Sequence, residues 1–331
     1  MTPRFSIDPF LVKLFLAIVL ASLLPAHGIG ATVFSWAANL SIVLLFFLHG
    51  ARLSRDAIAA GAGHWRLHAS IFSVTFVVFP ILGLLAGPLF APYVTPDLHT
   101  GILFLCCLPA TVQSAIAFTA IARGNIPAAV CSASASNLLG VFLTPLLAGL
   151  VLAGTSAADA PVSFDSVGKI MLQLLLPFVL GHAARPWIGA WVLKRKRLLK
   201  NVDQGSILLV VYSAFSSAVM GGLWSTTPPS ALAALLVISI ALLAAIVGFT
   251  LLLGRIMRFN LEDRITLLFC GSKKSLSTGI PIANILFAGH AVGAIVLPIM
   301  IFHQIQLIAC AVIAGMYARR SPASQAAQQA N

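Results

Sequence analysis

Ten apolar windows, each bounded by turn or charge signals, run through the chain near Phe10–Leu24, Ala31–Ala51, Leu67–Gly87, Gly101–Ala122, Ile126–Ala153, Ile170–Ile188, Ser206–Trp224, Ala231–Leu253, Ile265–Phe287 and Val292–Tyr317. Most are long enough to cross about 30 Å of hydrocarbon as a helix. In lipid every backbone polar group needs a partner inside the protein, which leaves helices or closed barrels as the spanning elements. The connections carry a one-sided charge. Drawn with ten spans, the chain puts seventeen of its twenty lysines and arginines on one face: Arg4 and Lys13, then Arg52, Arg55 and Arg66, Arg123, the cluster Arg185, Lys194, Arg195, Lys196, Arg197 and Lys200, then Arg255, Arg258 and Arg264, and finally Arg319 and Arg320. The other face holds Asp97, Asp159 and Asp165, with Lys169 at a span edge. The positive-inside rule then places both termini in the cytoplasm. A missed or invented span would reverse the sign of every later loop, so this agreement supports the count.

Composition closes off the alternatives. A chain that is 60% apolar and 8% charged, with mean hydropathy +1.02, cannot supply the surface of a soluble domain. The reading is an all-α polytopic membrane protein, with the lipid bilayer as its surroundings. The net charge of +12 does not point to nucleic acid, because the basic residues are dispersed through short connections without aromatic interleaving. Cys106, Cys107, Cys131, Cys270 and Cys310 all fall in apolar spans without a zinc or redox spacing and read as packing residues. The first apolar run lacks a small-residue cleavage site and is kept as a span. Residues 1–320 read as one transmembrane unit and the Ala/Gln/Ser-rich tail 321–331 as disordered. No phosphate-binding Gly-Lys-Ser/Thr loop occurs, and no resident cofactor is expected.

Against that background one block stands out, Cys270-Gly-Ser-Lys-Lys-Ser-Leu-Ser-Thr-Gly-Ile-Pro281, in the middle of the ninth span. An ionisable side chain at bilayer depth costs at least about 2.5–3.5 kcal/mol and normally faces water or the protein interior. Gly271, Gly279 and Pro281 offer places to interrupt the helix. The block predicts a discontinuous helix and a working site at Ser272, Lys273, Lys274, Ser275, Ser277 and Thr278.

An even span count invites a search for two halves, about 10–153 and 170–317, and five spans per half would make the copies inverted. Laying the fourth span on the ninth sets Cys106 on Cys270, Thr111 on Ser275, Gln113 and Ser114 on Ser277 and Thr278, and Ile116 on Ile280. Both copies are the polar, Pro- or Gly-interrupted segments of their halves, which is the sequence sign of a midplane site built from two crossing broken helices. Breaks are expected near Pro109 to Ser114 and near Gly271 to Gly279.

The run Gly271-Ser-Lys-Lys-Ser-Leu276, with Leu108-Pro-Ala-Thr-Val-Gln-Ser114, Ala122-Arg-Gly-Asn125, Cys131-Ser-Ala-Ser-Ala-Ser136 and Phe302-His-Gln-Ile-Gln306, resembles the bile acid:sodium symporter superfamily, within it a bacterial branch related to the seventh member of the vertebrate bile-acid carriers. The resemblance spans roughly Phe10 to Arg320. It implies ten helices in two inverted five-helix repeats, a core domain moving against a panel domain, and ion sites at the crossing of helices four and nine with helix five. Carried over by local match, Gln113 and Ser114 take the polar positions of the fourth helix, and Ser134, Ser136 and Asn137 those of the fifth; Gln113, Ser114 and Asn137 would be the sodium ligands. The chain departs from the pattern where those symporters place a ninth-helix glutamate, near Ser272. All eight acids lie in loops or at span edges. Sodium beside Lys273 and Lys274 would meet repulsion rather than a counter-charge, which weighs against sodium coupling.

Each assignment has a plainer competitor. A lysine at this depth can snorkel to the surface, but two adjacent lysines point about 100° apart, so at least one is expected to line the cavity. Gln113 and Ser114 are as well read as interhelical glue. Ser132, Ser134 and Ser136 spread around their helix, leaving the Ser136-Asn137 end as the better candidate. Thr111, His303 and Gln304 are secondary site residues, and a histidine satisfied by a carbonyl is the commoner case. His49 and His64 read as interfacial, and Trp36, Trp65, Trp187 and Trp224 as an aromatic belt.

The function expected is secondary transport of a small organic anion or amphipathic solute by alternating access. A non-transporting membrane regulator of the same fold is the alternative. An enzyme is not expected, since only a Ser272–Lys274 pairing could serve as a nucleophile. The sharpest expectation concerns charge: the ammonium of Lys274, or of Lys273, stands where sodium stands elsewhere, held by Gln113, Ser114, Ser136, Asn137, Ser275 and helix-end carbonyls.

Overall fold

A computed structural model describes residues 9–52, 64–153, 164–288 and 290–319. Arg4, Arg55, Arg320, Asp159 and the tail 321–331 lie outside them. The described residues form helices and the short turns and breaks between them, without a strand. Besides the single turn Leu223–Thr226, the helices are α1 (Pro9–Leu23), α2 (Gly28–Arg52), α3 (Trp65–Tyr93), α4 (Pro96–Cys107), α5 (Gln113–Ile121), α6 (Ile126–Ala153), α7 (Phe164–Lys194), α8 (Lys196–Met220), α9 (Pro229–Ile256), α10 (Leu261–Gly271), α11 (Leu276–Leu286) and α12 (Val292–Ala318). Six of the helices are each long and apolar enough to cross a membrane: α2, α3, α6, α8 from Arg197, α9 and α12. The protein is an integral membrane protein. Where the sequence places its fourth and ninth spans, the structure has the short pairs α4/α5 and α10/α11.

Local chemistry sets these ends. α4 begins at Thr95, whose hydroxyl accepts from Leu98 N, with Pro96 in the first turn where no N–H is needed. It stops at Leu108, which is extended because Pro109 follows. α10 is capped by the Asn260 side chain accepting from Asp263 N at 2.8 Å, and α11 by Ser275 accepting from Thr278 N. Within α3 the turn Val74–Val78 is a π-helix: Phe79 N reaches back to Val74 O rather than to Thr75 O.

Helices α1, α2, α7 and α8 pack with one another, as do α3 to α6 with α9 to α12. The groups meet where α6 and α11 touch α7 and where α8 touches α11 and α12. The α2–α7 contact runs through two glycines. A Cβ at Gly50 would fall on the Phe178 carbonyl and one at Gly181 on the Phe47 carbonyl, so the two backbones touch as small residues allow between helices in lipid. Trp36, Trp65, Trp187 and Trp224 are exposed.

Candidate functional site

The two breaks meet. Ser275 N donates to Pro109 O at 2.8 Å, tying the start of α11 to the segment between α4 and α5. A broken helix leaves carbonyls without their usual donors, and buried ones need replacements. At this break five of the replacements can be named. Leu105 O accepts from Leu108 N, Cys107 O from the Thr144 hydroxyl of α6, and Pro109 O from Ser275 N. Cys106 O and Leu108 O both accept from Lys274 Nζ, at 2.9 and 2.7 Å. The third acceptor of that ammonium is Thr75 O, at 2.9 Å. It is available because the π turn diverts Phe79 N and the next candidate donor is Pro80, which has no N–H. The Phe79 ring closes the site, 4.0 Å from Nζ.

The peptide of Lys274 is clamped as well. Gln306 of α12 accepts from Lys274 N at 2.9 Å and donates Nε2 to Lys274 O at 3.0 Å, while the same Nε2 lies 2.8 Å from His303 Nδ1. Ser136 accepts from Ala110 N at 3.1 Å, and Ser272 donates to Leu268 O at 2.6 Å. Thr278 donates to Asn137 Oδ1 at 2.6 Å, and Thr111 pairs with Ser114 at 2.7 Å. Gly140 and Gly279 let the break sit tightly between α6 and α11: a Cβ at either would meet Pro109 at 2.5 Å or Leu108 at 2.6 Å.

Lys273 points elsewhere. Its Nζ is buried, has no hydrogen-bond partner among the described residues and lies 3.9 Å from the Phe118 ring centroid. Both lysines are 0% exposed, so neither snorkels.

Beside the breaks lies a cavity of about 1240 Å³. Of the residues marked out in the sequence, Thr111, Gln113, Ser114, Ser134, Asn137, Ser275, Ser277, Thr278, His303 and Gln304 line it. Ser136, Ser272, Lys273 and Lys274 do not, so the expectation that a lysine faces the cavity is corrected. The expected partners of the Lys274 ammonium are corrected too. They are backbone carbonyls alone, one of them from α3, because the breaks and the π turn free carbonyls at that point whereas the hydroxyls and amides already bond one another. Ser272 and Lys274 engage different partners, which leaves them unpaired as nucleophile and base.

The opposite wall was not legible. It brings in His49 and Arg52 of α2, Lys200, Asp203 and Gln204 of α8, and Arg319. Arg52 donates both terminal nitrogens to Asp203, at 2.5 and 3.1 Å. His49 thus belongs to the cavity rather than to an interface. The signal that could have found this wall is Asp203, an acid inside an otherwise basic connection. The Ala122-Arg-Gly-Asn125 motif turns out to be a clasp: with Arg123 at φ 60°, the Asn125 side chain donates to Asp263 and accepts from Ala128 N. Among the described residues no cluster of His, Cys, Asp or Glu could hold a metal.

A family description covering SBF-like CPA transporters matches residues 8–319. The chain is 57% identical to "Uncharacterized protein PA2026" of Pseudomonas aeruginosa and 54% identical to "Putative symporter YfeH" of Escherichia coli K12, in each case over 98% of this chain and 97% of the relative. It is 27% identical to sodium/bile acid cotransporter 7 of the rat, over 90% of this chain and 89% of the relative. With helices enough to span a membrane several times and a match over nearly its whole length, the chain belongs to the SBF-like CPA transporter family.

Proposed function

We propose that the protein is a secondary active transporter of a small organic anion or amphipathic solute, working by alternating access around the paired breaks. The observation that carries this is the 1240 Å³ cavity, walled on one side by the residues of both breaks and on the other by α2 and α8. The solute in this reading lies between two bodies, α3–α6 with α9–α12 as the core and α1, α2, α7 and α8 as the panel. The equivalence of the α4/α5 and α10/α11 breaks supports the reading of ten spans in two inverted repeats, about 10–153 and 170–317, with the crossing near the bilayer midplane. Bacterial relatives and the basic connections support an inner-membrane location with cytoplasmic termini.

Arg52, Lys200 and Arg319 against the single carboxylate of Asp203 give the cavity wall a positive balance suited to an anion. The apolar side chains Phe10, Phe46, Phe118, Phe178, Leu276 and Leu307 line the same cavity and suit a hydrophobic body.

Sodium fits this site poorly. The carbonyls that a cation would use are taken by Lys274, and no Asp or Glu occurs between residues 98 and 158 or after residue 263. Lys274 in this reading is a tethered cation that stands in sodium's place, and transport does not depend on external sodium. The test is uptake of taurocholate and octanoate into proteoliposomes in sodium and in potassium media. Equal rates in both are expected. Sodium-dependent uptake would reject the role given to Lys274, and absence of protein-dependent uptake of either anion under any imposed gradient would reject the substrate class.

A further inference from the structure

Without sodium, a secondary transporter needs another ion to carry the driving force. We propose that His49 is the proton-binding site that couples this transporter, an inference that rests on the transport reading above. The argument is an elimination among the titratable side chains that line the cavity: His49, Arg52, Lys200, Asp203, His303 and Arg319. Arginine and lysine are protonated at neutral pH. Asp203 has both oxygens engaged by Arg52, so its protonation would cost a bidentate ion pair. That leaves two imidazoles, and their hydrogen bonds separate them.

The Gln306 amide has its orientation set by the Lys274 peptide, with Oε1 accepting from N and Nε2 donating to O. Its Nε2 is therefore a donor toward His303 Nδ1. His303 Nδ1 must accept, which fixes the neutral tautomer with hydrogen on Nε2. A proton added at Nδ1 would set donor against donor. His49 is held the other way. Its Nδ1 lies 2.7 Å from Leu45 O, a group that can only accept, so Nδ1 carries hydrogen and Nε2 keeps a free lone pair. No partner for Nε2 occurs among the described residues. Of the six groups, His49 is the one that gains a proton without losing a hydrogen bond.

Its surroundings suit a site that loads and unloads. Asp203 and Arg52 line the same cavity as the ring. Helices α7 and α8 pack along α2 and bring His182, Arg185 and Lys194 from one and Lys200 and Asp203 from the other. Lys200 and Arg319 share the cavity wall. A proton taken up at Nε2 gives an imidazolium beside the place where an anion binds; release on the other side returns the neutral ring, so one proton and one anionic charge cross together.

The experiment separates the proton site from the solute. In nanodiscs containing protein labelled with 13Cε1-histidine, NMR from pH 5 to 8, the range in which imidazoles ordinarily titrate, is expected to show, among the resonances of the eight histidines, a titrating one that is lost in His49→Gln. The resonance lost in His303→Gln is expected to stay constant. Calorimetry with taurocholate in two buffers of different ionisation heat is expected to show about one proton taken up per ligand at pH 7.5, and none in His49→Gln. A His49 resonance that does not titrate, or taurocholate binding without proton uptake in the parent, overturns the proposal. If taurocholate does not bind, the NMR result still decides the proton site, and the failure falls on the substrate class.

Discussion

Lys273 and Lys274 are neighbours in sequence, equally buried and, among the described residues, equally without a salt bridge, yet they occupy opposite situations. Lys274 Nζ meets three backbone carbonyls contributed by two helices. Lys273 Nζ meets an aromatic face and, among the described residues, no hydrogen-bond acceptor. What distinguishes them is the geometry of the backbone they reach. One side of the α10/α11 break faces a π turn followed by Pro80 and the second break, where helical carbonyls have lost their donors. The other faces α5, where the Phe118 ring covers the ammonium. A buried lysine in this fold is thus stabilised by interrupted helices, and its role is decided by elements distant in sequence.

The sharpest way to break that contrast is to replace each lysine by Met, which keeps the length and apolar stem. Lys274→Met removes the donor from three buried carbonyls, and each orphaned acceptor costs roughly 1–3 kcal/mol. A loss of at least about 3 kcal/mol is expected, read as a large drop in the thermal unfolding midpoint in detergent or as failure to give a monodisperse protein. Lys273→Met removes an ammonium held only by a ring contact worth about 0.5–2 kcal/mol and relieves an unpaired buried charge. Its midpoint is expected to match the parent's or exceed it. Equal losses in both variants would show that the carbonyl cage is not what distinguishes the two positions.

The same contrast explains what could be read from sequence. Both breaks were legible because Leu108-Pro109 and the Gly271 to Gly279 block carry their own backbone chemistry. The cavity-lining residues of α5, α6 and α11 followed, since polar side chains at depth have few other uses. The partners of Lys274 were not legible, because one acceptor is created by Pro80 acting on Thr75 in a span with no Asp, Glu, Lys or Arg to draw attention to it. Neither was the wall of His49, Arg52, Lys200 and Asp203. These residues sit at helix ends and in basic connections, where charge is ordinary, and only the packing of α8 on α2 brings Arg52 to Asp203 across 151 positions.

A smaller effect tests how closely the break must fit. The prolyl ring of Pro109 lies against Gly140, and Leu108 against Gly279. A methyl group at Gly140 would meet backbone-constrained ring atoms at 2.5 Å, whereas one at Gly279 would meet the end of a leucine side chain at 2.6 Å. Overpacking costs typically 1–3 kcal/mol where neighbours cannot move. Gly140→Ala is therefore expected to lower the unfolding midpoint more than Gly279→Ala, because the pyrrolidine ring has no alternative rotamer and leucine has several. The reverse order would mean that the segment between α4 and α5 shifts as a unit.

The smallest effect concerns Ser136, which sequence alone marks as an ion or solute ligand but which bonds Ala110 N from a fully buried position. If its role is to replace the helical acceptor that Ala110 lost at the break, Ser136→Ala leaves one buried N–H unsatisfied and costs about 1–3 kcal/mol. Ser136→Cys keeps a weak acceptor of similar size and should recover part of that loss. Asn137→Ala, on the cavity side one residue later, separates fold from function in the other direction. Its amide oxygen accepts from the Thr278 hydroxyl, part of the cavity lining, so the loss should fall mainly on solute uptake. Measured together, the unfolding midpoint and taurocholate uptake should place Ser136→Ala on the stability axis and Asn137→Ala on the uptake axis. Loss of uptake in Ser136→Ala at unchanged midpoint would return Ser136 to the cavity as a ligand.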